Sequence, residues 1–235
     1  MTPPSRGVVL AYHGVGEPTE TNDPERLLVS PALIASHIRF LRRKRYHFQT
    51  MSEALDDYGG GPIGRHIAVL TFDDGFRNWI TNALPLLKEL DVRASFYACP
   101  GWDGGQHPEV TGAEGELLDR AGLRRLHDAG MEVASHSMTH PDLRGLDTAA
   151  LGSELSRSKI EIEAITERPC RTFAYPYGFF DDRVKRATEA AGYECALDWL
   201  PGRWDRYAVP RLPGPPRNGA GRLVLKMLGL RKPGR

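Results

Sequence analysis

What most constrains the fold of this chain is a rhythm in its sequence: short apolar runs of β character alternate with longer stretches of helical period. Residues 8–13, 67–72, 94–98, 131–135, 172–175 and 194–199 are short, apolar and bounded by Gly, Pro or polar residues, the pattern of buried strands. Between them, 31–46 carries Leu33, Ile34, Ile38 and Leu41 near the 3.6-residue period. Residues 77–90 carry Trp79, Ile80, Leu84, Leu87 and Leu90, with Pro85 as a kink. A helix over 117–129 stops at Ala129-Gly130, and one over 181–191 stops before Gly192. A helix over 147–166 is capped by Asp147 and buries Leu151, Leu155, Ile162 and Ile165. This alternation predicts an α/β fold with a mainly parallel sheet. Six or seven such units in about 200 residues fit one closed or nearly closed barrel better than two domains. The barrel is assigned residues 1–216, with 217–235 as a tail; Gly59–Pro62 and 101–115 read as loops.

At 235 residues the chain is long enough to bury a sizeable core without staples. Cys99, Cys170 and Cys195 show neither disulfide nor zinc-ribbon spacing, which points to a reducing compartment. The start, Met1-Thr-Pro-Pro-Ser-Arg-Gly, is no secretory leader, and no apolar run approaches membrane-spanning length. Taken as complete, the chain is expected in the cytoplasm; a piece of an exported protein would read the same. The net charge of +1 hides an asymmetry. Residues 206–235 hold eight Lys or Arg and no acid, leaving 23 basic against 30 acidic residues before them, a net of −7. An acidic body without a base-stacking motif argues against nucleic acid as a partner. In the tail, Leu223, Val224, Leu225, Met227, Leu228 and Leu230 mix with Arg222, Lys226, Arg231 and Lys232. Such a segment serves either as a last barrel helix with a frayed end or as a basic amphipathic helix on an anionic bilayer. The second reading expects peripheral membrane contact through residues 217–235, at the inner face.

The polar candidates share one place: strand C-terminal ends, which open onto the active face of a parallel α/β barrel. His13 closes the first strand, Asp73 and Asp74 the second, His136 a later one, and Tyr175-Pro-Tyr177 another. In His136-Ser-Met-Thr-His140, two imidazoles four residues apart can aim at one point; Pro141 favours a turn there. With one carboxylate they make a metal site that keeps open positions, though an isolated pair of this spacing is more often two surface histidines. Asp73-Asp74-Gly75 ends an apolar strand where glycine lets the chain turn. One carboxylate can then bind metal while the other holds a water; otherwise one of them caps the next helix. Tyr175-Pro-Tyr-Gly178 is either a packed turn or a source of backbone N–H groups for a developing oxyanion.

Together, Thr71-Phe-Asp-Asp-Gly75, His136-Ser-Met-Thr-His140 and Arg171-x-Phe-x-x-Pro-Tyr-Gly178 resemble, in order, the first three motifs of the NodB-homology polysaccharide deacetylases, carbohydrate esterase family four. The resemblance spans roughly residues 7–212. It implies a deformed (β/α)7-8 barrel and a hydrolase that removes N-acetyl groups from amino sugars with one divalent metal. It further implies that Asp74, His136 and His140 hold the metal, that Asp73 is the general base acting on metal-bound water, and that the Tyr177 N–H joins in stabilising the oxyanion. Zinc suits such a ligand set; cobalt, nickel, manganese and iron also fit. Two positions depart from the commoner pattern. No histidine follows residue 140, so the usual C-terminal Leu-x-x-His is absent, but Leu10-Ala-Tyr-His13 reads the same at the first strand end. His13 is the implied general acid, as in members similar to the exported poly-N-acetylglucosamine deacetylases. Ala174 stands where the commoner motif has an arginine tethering the catalytic Asp; Arg211 is the candidate substitute and Arg171 the runner-up. Asp198-Trp199 matches the end of the family's fourth motif and, with Pro176 and Tyr177, makes up the implied substrate-binding set. The implied partner is an N-acetylated glycan, polymeric, oligomeric or lipid-linked. Alternatives are a carbohydrate-binding pseudoenzyme of the same fold, a deformylase or deacylase of a lipid-linked amino sugar, and a membrane-associated partner protein acting through its tail.

Overall fold

The computed structural model describes residues 7–19, 21, 23–59 and 61–214; the tail assigned to 217–235 lies outside them. The strands are β1 (Val8–Tyr12), β2 (Gly14–Val15), β3 (Leu28–Val29), β4 (His47–Gln49), β5 (Ile67–Asp74), β6 (Ser95–Ala98), β7 (Glu132–Ser135), β8 (Thr172–Ala174), β9 (Cys195–Leu197) and β10 (Leu212–Pro213). The α-helices are α1 (Pro31–Arg43), α2 (Met51–Tyr58), α3 (Leu84–Glu89), α4 (Arg120–Asp128), α5 (Thr148–Thr166) and α6 (Asp182–Ala190). Eight strands form one parallel sheet in the order β10-β1-β5-β6-β7-β8-β9, with β4 paired to the first half of β5. The sheet curls, and one short segment joins its ends: Val209 bridges Leu197 of β9, while Leu212 pairs with Leu10 of β1. This is a single-domain deformed (β/α) barrel, the predicted class.

β5 pairs with three strands, β1, β4 and β6, and is buried along its whole length. Strand geometry sends alternate side chains to opposite faces. Phe72 faces outward and stacks between Tyr12 of β1 and Phe96 of β6, at ring separations of 5.4 and 4.8 Å, with Trp79 against it. Thr71 and Asp73 face the other way and meet Arg211 inside the barrel. The outer helices close over the sheet through one apolar stripe each: Ile34, Ile38 and Leu41 of α1, and Leu151, Leu155, Ile162 and Ile165 of α5. Each fully buried aliphatic side chain contributes about 1.5–3 kcal/mol of transfer free energy.

The helix expected over 77–90 is two pieces. Pro85 lacks the N–H that an α-turn needs, and the preceding stretch Trp79–Ala83 is a π-turn in which the Leu84 N–H bonds the Trp79 carbonyl; α3 follows. The helix expected over 117–129 starts at Arg120, because the Asp119 carboxylate caps it by accepting the Gly122 N–H at 2.7 Å. Leu117 is instead extended and bridges Phe76. Asp147 caps α5, accepting the Ala150 N–H at 2.8 Å, as its sequence predicts.

Candidate active site

The two adjacent aspartates part at the end of β5. Asp73 keeps strand geometry and points into the barrel. Asp74 takes a left-handed backbone (φ 88°), and Gly75 follows at φ 103°, a conformation open to glycine. The chain therefore turns, and the Asp74 carboxylate swings to the barrel mouth. Asp73 is 1% exposed and held by Arg211 through one hydrogen bond, Nη1 to Oδ1 at 2.9 Å, and an ion-pair contact of Nη2 with Oδ2 at 2.7 Å. Arg211 is itself fixed: Nη1 donates to Thr71 Oγ1 at 3.1 Å, Nε to the Asp198 carbonyl at 2.6 Å, and its guanidinium lies 5.6 Å from the Trp199 ring. Burial opposes ionisation of Asp73, yet the Arg211 charge beside it holds the carboxyl below the usual range.

His136 continues the β7 ladder, its N–H bonding the Ala98 carbonyl at 2.9 Å. Beyond it Ser137 and His140 both have left-handed backbones (φ 68° and 61°), strain concentrated in a loop the surroundings hold firmly. The Glu154 carboxylate of α5 accepts the Met138 and Thr139 N–H groups and the Thr139 hydroxyl, at 2.9, 2.9 and 2.8 Å. The result brings His136 Nε2 and His140 Nε2 within 3.2 Å of each other, and within 3.3 and 3.5 Å of Asp74 Oδ1. His136 Nδ1 donates to the Ala174 carbonyl at 2.8 Å, which leaves the Nε2 lone pair free to bind. These three donors lie within 4.8 Å of one another and fit one divalent metal. Burial opposes the charge of Asp74, but the histidines around it hold the carboxyl well below the usual range; burial pushes His140 down to about 3. An ionised carboxylate and a neutral imidazole are ligand-ready forms.

Three further groups ring the same cleft. His13 follows β1 and sits 4.7 Å from the Trp199 ring, its Nε2 3.9 Å from Asp74 Oδ2; burial lowers its pKa. Tyr177 has φ 59° in the turn Pro176–Gly178 and places its ring 4.5 Å from His140. Gly178 cannot be replaced there: a Cβ would lie 2.5 Å from Trp199 Cβ. His107, which carried no sequence signal beyond a histidine before proline in a glycine-rich loop, is buried with Nε2 3.3 Å from Asp74 Oδ2. The cleft, about 380 Å³, is lined by His13, Asp73, Asp74, His136, His140 and Trp199, with Tyr177 and His107 at its walls. Asp23 accepts the Leu27 and Leu28 N–H groups at 2.7 and 2.9 Å and so fixes the β2–β3 loop that carries Glu25 to its rim.

Of the residues named from the sequence, His13, Asp73, Asp74, His136, His140, Tyr177, Trp199 and Arg211 meet at this one end of the barrel. Pro176 is buried in its turn and Asp198 turns its carboxylate to the Leu200 N–H, so neither lines the cleft. Arg171, the second candidate to tether Asp73, is engaged at the start of β8 by Glu194 and Asp56, at 2.6 and 2.7 Å.

A parallel barrel with an ion-paired carboxylate beside an Asp–His–His donor set gathers the groups that metal-assisted hydrolysis requires. The chain belongs to the polysaccharide deacetylase family, whose model matches residues 60–196; His13, Trp199 and Arg211 lie outside that match. It is 31% identical over 157 residues to a chitooligosaccharide deacetylase of Bradyrhizobium sp. (strain ANU 289), covering 65% of each chain. It is 22% identical over 197 residues to the poly-β-1,6-N-acetyl-D-glucosamine N-deacetylase of Staphylococcus aureus (strain MRSA252), covering 78% of this chain and 67% of that one. A polysaccharide deacetylase structure from Bacillus cereus superposes with a TM-score of 0.78 at 25% identity, over 94% of this chain and 69% of that one. The Streptococcus pyogenes deacetylase PplD, in complex with acetate, shares the fold with a TM-score of 0.80 at 20% identity, over 96% and 99%.

Proposed function

We propose that this protein is a metal-dependent N-deacetylase that hydrolyses the N-acetyl amide of an N-acetylhexosamine unit in a glycan. The observation that carries the reading is the division of labour at the end of β5: Asp73 clamped by Arg211, and Asp74 turned aside to join His136 and His140. Asp74, His136 and His140 would hold the metal, with zinc the expected ion, and a divalent ion there supplies Lewis-acid polarisation and a lowered water pKa. Asp73, kept ionised by Arg211, takes a proton from the attacking water. The water oxygen bonds the amide carbon, and the Tyr177 backbone N–H donates to the oxyanion that forms. His13, across the cleft, gives a proton to the leaving nitrogen; the C–N bond breaks, releasing acetate and a free amine. Trp199 and Tyr177 offer apolar faces to a sugar ring at the rim.

Acetate release from chitooligosaccharides and from β-1,6-linked N-acetylglucosamine oligomers tests the reading, with loss on chelation and recovery on adding metal. No acetate from any N-acetylated glycan by metal-loaded protein would refute it. We further propose a cytoplasmic location with peripheral contact to the inner face of the membrane through residues 217–235, on the composition of that segment. Among the described residues no helix is long and apolar enough to cross a bilayer, and the three cysteines are free and buried.

A further inference from the structure

We propose that His107 is a positioning residue for the candidate metal centre: its Nε2–H holds the Oδ2 oxygen of Asp74 and so presents Oδ1 to His136 and His140. The inference rests on the reading of those three residues as metal ligands. His107 is 4% exposed and comes from the loop between β6 and α4, away from every motif the sequence offers.

Its tautomer is set by the backbone. The Glu109 N–H donates to His107 Nδ1 at 3.1 Å, so Nδ1 is the acceptor and the ring hydrogen sits on Nε2. That nitrogen faces Asp74 Oδ2 at 3.3 Å, while Asp74 Oδ1 faces His136 and His140. In this tautomer His107 Nε2 has no lone pair to give, which makes it a donor to the ligand and not a further ligand. The ring cannot easily drift. Phe76 stacks on it at 4.7 Å with 21° between planes, and Trp102 meets its edge at 5.6 Å. The His107 N–H bonds the Gly115 carbonyl at 2.8 Å, and the loop returns to the β5 end through Leu118 N–H to the Gly75 carbonyl at 2.8 Å. The loop is thus braced against the turn that redirects Asp74. A donor on the far oxygen fixes the plane of a ligating carboxylate and disfavours its rotation to a two-oxygen mode. Removing such outer partners typically weakens metal binding by about 10–100-fold.

The test is a Co²⁺ titration of the full chain, read by competition with a chromophoric chelator and by the visible absorption of the bound ion. Wild type is compared with His107→Phe, His107→Gln and His107→Asn, and the metal-free melting temperature of each controls for folding. The Gln amide reaches the Nε2 position and the Asn amide reaches only Nδ1. Wild type and His107→Gln should bind Co²⁺ with similar affinity, whereas His107→Phe and His107→Asn should bind about 10–100-fold more weakly with altered absorption. If the Phe ring upsets the loop, the Gln and Asn pair carries the comparison. Unchanged affinity in His107→Asn, or equal loss in Gln and Asn with wild-type melting, overturns the proposal. If wild type binds no Co²⁺, the metal site itself is wrongly read and this inference falls with it.

Discussion

At the scale of single residues, the site separates two carboxylates by environment. Asp73 has a buried guanidinium and Asp74 a set of imidazoles, and only a left-handed turn at Asp74 allows adjacent residues to reach both. Arg211→Met should leave Asp73 as an uncompensated buried charge and cost about 3–5 kcal/mol of stability, read as a fall in the urea midpoint at neutral pH. The sign of its pH dependence follows from the depressed carboxyl. The ion pair stabilises fully above the ordinary aspartate range and loses its contribution as pH falls through the lower folded-state value. The gap between wild type and Arg211→Met should therefore narrow in acid; a gap that widens would contradict the pairing. The motif residues Asp73, Asp74, His136 and His140 were legible in the sequence because strand ends converge in a parallel barrel. His107 was not: nothing local distinguishes it from any loop histidine, and only the packing of Phe76 and Trp102 brings it to Asp74.

At the scale of elements, α5 does more than cover the sheet. Its Glu154 ties down the loop that holds His140 in a left-handed conformation. Glu154→Ala should weaken metal binding by about tenfold while leaving the barrel folded; a chelator competition assay with a melting curve checks both, and unchanged affinity would show that the loop holds itself. At the other end of β8, Arg171 joins Glu194 and Asp56, and the Arg171 hydrogen bonds lower both carboxyls. Arg171→Leu should lower the melting temperature at pH 7, and the difference should shrink as pH falls through the lowered folded-state values of Glu194 and Asp56, vanishing once both acids are protonated in either protein. The helices with strong caps were legible to within a few residues. β4 and α2 were not read, although Thr50 and Glu53 form a capping box at the start of α2. β4 is no shorter than β8 and β9 but, unlike them, is not buried and presents no apolar run; Pro85 and Asp119 reset helix boundaries that apolar periodicity alone extends.

At the scale of the whole molecule, the segment 209–213 closes the ring between β9 and β1 and also delivers Arg211 beneath Asp73. Closure thus brings three distant stretches, His13, Asp73 and Arg211, into one cleft, and explains how an N-terminal histidine can face motifs far along the chain. Barrel class was legible from strand–helix alternation; the identity of the closing strand was not, because Leu212–Pro213 is two residues long. Deleting residues 217–235 should leave acetate release from soluble oligosaccharides unchanged and abolish co-sedimentation with anionic vesicles. Sedimentation that survives the deletion would remove the tail from the account.

The most direct test of the central claim is a paired measurement on Asp73→Asn and Asp74→Asn: bound metal per chain and acetate released from an N-acetylglucosamine oligomer. Asp73→Asn should retain metal and lose turnover by about 10²–10⁴-fold, whereas Asp74→Asn should lose metal and turnover together. Equal loss of metal in both variants, or turnover surviving in Asp73→Asn, would contradict the division of labour between the two aspartates.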